Sequence, residues 1–147
     1  MFCKKLIISL LATVTGGILC LCCQKTPLLG EYDAVFTGYY TSDTMRITFT
    51  TTYQFEIVSV KQTEIGILET QSKTRSTLTK ESDTKISGKI AIINAYQPEP
   101  SGNSPILNTI DIEGVYDKTS IAGTFSSVVY SGYGTFPAQG EFRMEKH

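Results

Sequence analysis

Between Met45 and Ile57 the odd positions hold Met45, Ile47, Phe49, Thr51, Tyr53, Phe55 and Ile57, with Arg46, Thr48, Thr50, Gln54 and Glu56 between them. A helix would scatter those apolar side chains around its circumference, whereas a strand gathers them on one face. The stretch predicts one long bent strand, or two joined by a tight turn near residues 50–52. Other segments alternate in the same way. Tyr32, Ala34 and Phe36 share a face, as do Ile65 with Ile67, and Ile86 with Ile90 and Ile92. Further along come Ile106, Ile110, Ile112 and Tyr116, then Ile121, Phe125 and Val129, then Phe136, Phe142 and Met144. Residues 72–84 are polar except for Leu78, which predicts an exposed edge strand or a long hairpin. No window patterns as an amphipathic helix.

The punctuation agrees. Asp117-Lys118-Thr119 suits a short hairpin turn, and the proline-rich run 97–105 cannot be regular strand or helix. Gly114-Val115-Tyr116, Gly123-Thr124-Phe125, Gly134-Thr135-Phe136 and Gly140-Glu141-Phe142 repeat a Gly-x-aromatic pattern. Glycine permits sharp coiling of a strand and a neighbouring aromatic covers it, so the repeat predicts a strongly curved sheet. The expected fold class is all-β: one antiparallel up-and-down meander closing into a roughly eight-stranded barrel, with a two-sheet β-sandwich as the alternative. Closure removes exposed sheet edges.

Gly30-Glu31-Tyr32 opens the first strand and Arg143 sits on the last. In this the chain resembles lipocalin-like (calycin-like) and avidin-like barrels, which open with Gly-x-Trp and, in lipocalins, pack a basic residue over that ring. This chain has no tryptophan, so the resemblance implies Tyr32 in its place, stacked by Arg143 through a cation–π contact.

The first thirty residues have a different texture. Lys4 and Lys5 give a positive start, Leu6–Leu21 is an uncharged and mostly apolar run, and a cysteine cluster follows. The run is short for a membrane span and is interrupted by Gly16-Gly17. This resembles the bacterial lipoprotein leader, and with the β texture it resembles small barrel lipoproteins of the Bacteroidota type. The expected organisation is a signal peptide over 1–22, a tether over 23–29 and a single domain over 30–147. Cys23 is the expected lipid attachment, since Cys22 before it is small while Cys20 and Cys22 each follow a leucine. An ordinary cleaved secretion signal and an uncleaved anchor are the alternatives. Gln24 after the cysteine implies, by the same resemblance, the outer membrane, with the periplasmic or the surface face left open.

Composition narrows the chemistry. All four cysteines lie in the first 23 residues and the only histidine is His147, the last residue. A disulfide framework or a zinc site would need partners further along the chain, and a serine hydrolase needs a base beside its nucleophile. Beyond residue 22 there are 11 basic and 14 acidic residues, scattered singly, with no cationic stripe for a nucleic acid. No enzyme, metal site or cofactor is expected. Asp111 and Glu113 share the face opposite Ile110 and Ile112, so they are expected in solvent and not as a catalytic pair or, with Asp117, as calcium ligands.

Two functions remain. In the first, a lipid-anchored envelope protein binds a small apolar or amphipathic ligand inside the barrel, lined by Phe36, Phe49, Phe55, Ile92, Ile112, Phe125 and Phe142. In the second, an envelope module docks on a protein or glycan through strand-end tyrosines, namely Tyr39, Tyr40, Tyr96, Tyr130 and Tyr133.

Overall fold

A computed structural model describes residues 28–92, 106–131 and 134–147. They form eight strands: β1 (Gly30–Ser42), β2 (Met45–Val60), β3 (Glu64–Glu69), β4 (Arg75–Lys80), β5 (Lys85–Ala91), β6 (Ile106–Tyr116), β7 (Ser120–Ser131) and β8 (Gly134–Lys146). Each pairs antiparallel with the next, and β1 pairs with β8 through Phe36 opposite Phe142, so the meander closes into a barrel. The sandwich alternative is thereby set aside. Met45–Val60 is one strand, not two, and the polar stretch holds β4, inside the wall between β3 and β5 with Leu78 turned inward.

The alternation sorts side chains by face. Tyr32, Ala34, Phe36 and Tyr40 of β1 point inward, as do Ile86 and Ile90 from β5, Ile92 just after it, and Phe142 with Met144 from β8. The outer face carries Asp33, Lys89, Asp111, Glu113, Glu141, Arg143 and Glu145, all exposed. A membrane-spanning barrel has the reverse arrangement, an apolar band outside and a polar interior.

Two bulges break the simple parity. In β2 the register skips at Val58, so that Ile57 and Val60 both face in. In β6 it skips between Leu107 and Ile110, and Ser127 Oγ donates to the Thr109 carbonyl at 2.6 Å, filling the irregularity. Leu107 is therefore an inward residue ahead of Ile110 and Ile112; the side chain of Ile106 lies outside the described part.

The glycines act across strands. Gly38 faces Gly140, and Gly114 faces Gly123. A methyl group on Gly38 would sit 2.8 Å from Phe125 Cζ, and one on Gly114 would sit 3.2 Å from Phe142 Cζ. Each glycine pair thus makes a notch into which a phenylalanine ring from elsewhere fits. The expected coverage by the aromatic two residues on holds at Gly134, where the nearest atom to an added methyl is Phe136 Cζ at 3.6 Å.

Turns fix the register. Asp43 takes a positive φ of 53° in the two-residue turn between β1 and β2, a conformation aspartate tolerates better than most residues. In the β6–β7 turn the Asp117 carboxylate accepts from the amides of Thr119 and Ser120, both at 2.8 Å, and from Ser120 Oγ at 3.0 Å. Those bonds favour the ionised form and hold the Asp117 carboxyl below its ordinary value. A lowered folded-state value means stabilisation present above the unfolded carboxyl range and lost as pH falls through the folded one. Asp117→Ala is accordingly expected to be less stable than the parent near neutrality. The gap should close as the solution is acidified below the ordinary 3.8, read by urea unfolding across that range.

Candidate functional site

The seven residues expected to line a cavity all point inward and all are buried. The structure brings most of them into mutual contact. Phe36 stacks on Phe142 with centroids 5.6 Å apart and meets Phe125 edge-on at 5.3 Å. Phe125 in turn lies 6.3 Å from Phe49, and Tyr53 lies 5.8 Å from Phe36 and 6.2 Å from Phe55. Such spacings are those of rings filling one another's space. Burial raises the titration range of the Tyr53 hydroxyl, which reaches across the barrel towards the backbone of Leu107.

The tyrosines divide. Tyr39 faces out and Tyr130 is 43% exposed. Tyr40 is a correction: it is 6% exposed and stacks on Phe136 at 5.5 Å, because it shares the parity of Tyr32, Ala34 and Phe36. Tyr39 and Tyr40 are neighbours on one strand and cannot both be surface residues. Tyr96, Tyr133 and Cys23 lie outside the described residues.

The stack of Arg143 on Tyr32 is a second correction. Arg143 is an outward residue opposite Val35, paired with Glu145 at 2.5 Å. Tyr32 is inside, fully buried, and its hydroxyl donates to the Leu28 carbonyl at 2.9 Å. Burial, and then the negative charge of Asp117, push that hydroxyl's titration up.

The grooves described by the structure run along the outside of the barrel. Register pairing sets up two belts there. One runs Lys89, Asp111, Ser126, Gln139, Tyr39, Thr48, and the next runs Ser87, Glu113, Thr124, Glu141, Thr37, Thr50. Within them Lys89 pairs with Asp111 at 3.5 Å, Gln139 Nε2 donates to the Tyr39 hydroxyl, and Thr37 and Thr50 hydroxyls lie 3.3 Å apart. The Arg46 guanidinium covers the Tyr39 ring at 3.5 Å, so that face of the ring is taken by the protein itself. Towards the β1–β2 turn the surface changes: Val128 is 44% exposed beside Tyr130, and Pro137 is the register partner of Val128.

Asp111 and Glu113 are exposed on the outer face and Asp117 serves its turn. No group of three potential metal ligands occurs among the described residues. One functional-looking residue was missed. Glu69 is 2% exposed, with its carboxylate accepting from the Gln71 amide at 3.1 Å and the Ser72 amide at 2.5 Å. The signal was present, since Glu69 continues the inward parity of Ile65 and Ile67. Its bonds cap the turn between β3 and β4, which accounts for the buried carboxylate structurally.

Comparison with protein-family models, with curated proteins and with solved structures finds no match. Among the described residues no helix is long and apolar enough to cross a membrane.

Proposed function

We propose that the chain is a lipid-anchored protein of a bacterial outer membrane, held at Cys23, and that its barrel is a docking module for a protein or glycan of the envelope. One observation carries the choice over a ligand carrier: the rings expected to line a cavity touch one another, while the grooves found among the described residues run along the outer face. Side chains commonly fill the interior of an eight-stranded barrel, and this interior has the composition and contacts to do so. The leader supplies the address and the likeness to small barrel lipoproteins. The outer belts supply hydroxyl, amide and carboxylate groups for hydrogen bonding, and Val128 and Tyr130 supply an exposed apolar group beside them. Apolar anchors rimmed by polar groups are how interfaces concentrate their energy.

The test compares the purified lipidated protein with a Val128→Ser/Tyr130→Ser double variant. The expected result is that the parent retains a defined envelope protein or glycan, and that the folded variant, checked by circular dichroism, loses it. Native mass spectrometry of the parent then gives a clean apo mass. A reproducible small-molecule mass that disappears on denaturation would overturn the docking reading in favour of the ligand carrier.

A further inference from the structure

The strands alternate in direction, so the ends of the barrel differ in what they carry. At one end lie the chain's entry at Leu28, the turns 61–63, 81–84 and 117–119, and the C-terminus. Backbone bonds tie this end together: Lys80 to the Thr63 carbonyl, Tyr116 to that of Thr84, Lys146 to that of Thr119, and His147 to that of Glu31. The turn 43–44, the turn 70–74 and the paired Ser131 and Gly134, where β7 ends and β8 begins, are at the other end.

Leu28 is fixed to its end of the barrel. It is 6% exposed and its carbonyl accepts the Tyr32 hydroxyl. Four residues stand between it and Cys23, and five peptide steps span about 18 Å at full extension. β1 has 13 residues; at about 3.3 Å per residue and a tilt near 40°, the barrel stands roughly 33 Å high. The tether is therefore shorter than the barrel. The entry end also has the groups of an interfacial collar: Lys61, Lys85 and Lys118 are exposed, and Val115 and Val58 just above them are 55% and 38% exposed. Glu64, Glu81 and Asp83 sit among the lysines, so the end carries both signs of charge. Its contact rests on reach and on lysine stems and valines at headgroup level, without a need for anionic lipid.

We infer that, when anchored at Cys23, the barrel rests on the phospholipid surface with the end formed by turns 61–63, 81–84 and 117–119, holding the β1–β2 turn and the Val128–Tyr130 surface away from it. This rests on the anchor reading above. It makes the far end, and not the collar, the part open to an envelope partner.

Beyond Cys23 the chain has no cysteine, so a single introduced thiol reports its own place. Lys118→Cys and Thr44→Cys proteins, lipidated and processed as the cell makes them, are labelled with a fluorophore. They are then reconstituted in phosphatidylcholine vesicles containing a headgroup-quencher lipid. Quenching is expected to be several-fold stronger at position 118 than at 44. Equal quenching, or stronger quenching at 44, overturns the inference while leaving the anchor intact. The anchor has its own readout, the acyl mass on the N-terminal peptide and flotation with the vesicles, abolished by Cys23→Ser. A protein without that mass that stays off the vesicles overturns the anchor reading, and the inference with it.

Discussion

Replacing Phe125 by alanine is expected to cost about 3–5 kcal/mol of folding free energy, read as a fall in the urea midpoint with the slope unchanged. The ring is 4% exposed and sits at the centre of the aromatic cluster, touching Phe36 and Phe49. It also fills the notch above Gly38 and Gly140, where it is the nearest side chain to both. Its loss would open a cavity bounded by two strands that have no side chain with which to refill it. For a domain whose whole stability is of the order of 5–15 kcal/mol, the variant would be close to unfolding at modest temperature. Phe125→Leu should recover part of the loss, because the cost follows the volume left empty. A variant as stable as the parent would mean that the interior is already loosely filled, and would return weight to a ligand carried inside.

The opposite change, Gly140→Ala, is expected to be comparably damaging for the opposite reason. An added methyl there would meet the Thr37 carbonyl and the Gly38 Cα, with Phe125 Cε1 at 2.9 Å. The first two are backbone atoms on the neighbouring strand and cannot swing aside. Overpacking of this kind usually costs about 1–3 kcal/mol, and more is expected here because the contact lies across the β1–β8 seam that closes the barrel. The two changes should not compensate. In Phe125→Ala/Gly140→Ala the ring contact is gone but the clash with β1 remains, so the double variant should be less stable than either single one. Thermal unfolding of the three proteins distinguishes this from simple rescue.

Much of the wall was legible because alternation survives any closed or packed sheet: 45–57, 64–70 and 121–130 read directly as strands, with Phe49, Phe55, Ile57, Ile65, Ile67, Ile121, Phe125 and Val129 inward as expected. Met45 at the start of β2, by contrast, is 67% exposed, and Glu69 joins the inward set unannounced. Closure was expected from the curved meander and is borne out, but alternation alone serves a barrel and a sandwich equally, and only pairing between β1 and β8 tells them apart. Bulges were invisible for a related reason. A one-residue skip at Val58 or between Leu107 and Ile110 leaves local composition unchanged while exchanging inside for outside. The Arg143–Tyr32 expectation failed through register: the residues lie on paired strands, but Arg143 has the parity of Val35 and Glu145. Tyr40 failed on simpler grounds, its parity being readable from Tyr32 and Phe36. Of the candidate surface, the outward positions of Asp111 and Glu113 were legible, whereas the belts were not, because each belt takes one residue from every strand it crosses.

The pairing of β1 with β8 joins residues about a hundred positions apart, and this governs when the domain can exist at all. A chain emerging from its N-terminus exposes β1 first and β8 last. During that interval β1 has β2 on one side and nothing on the other, and the notch of Gly38 waits for Gly140 and Phe125. Distant pairings of this kind slow folding. Here they also postpone closure until β8 is free, so the chain stays threadable until then and becomes a closed object only when that thirteen-residue strand can reach β1.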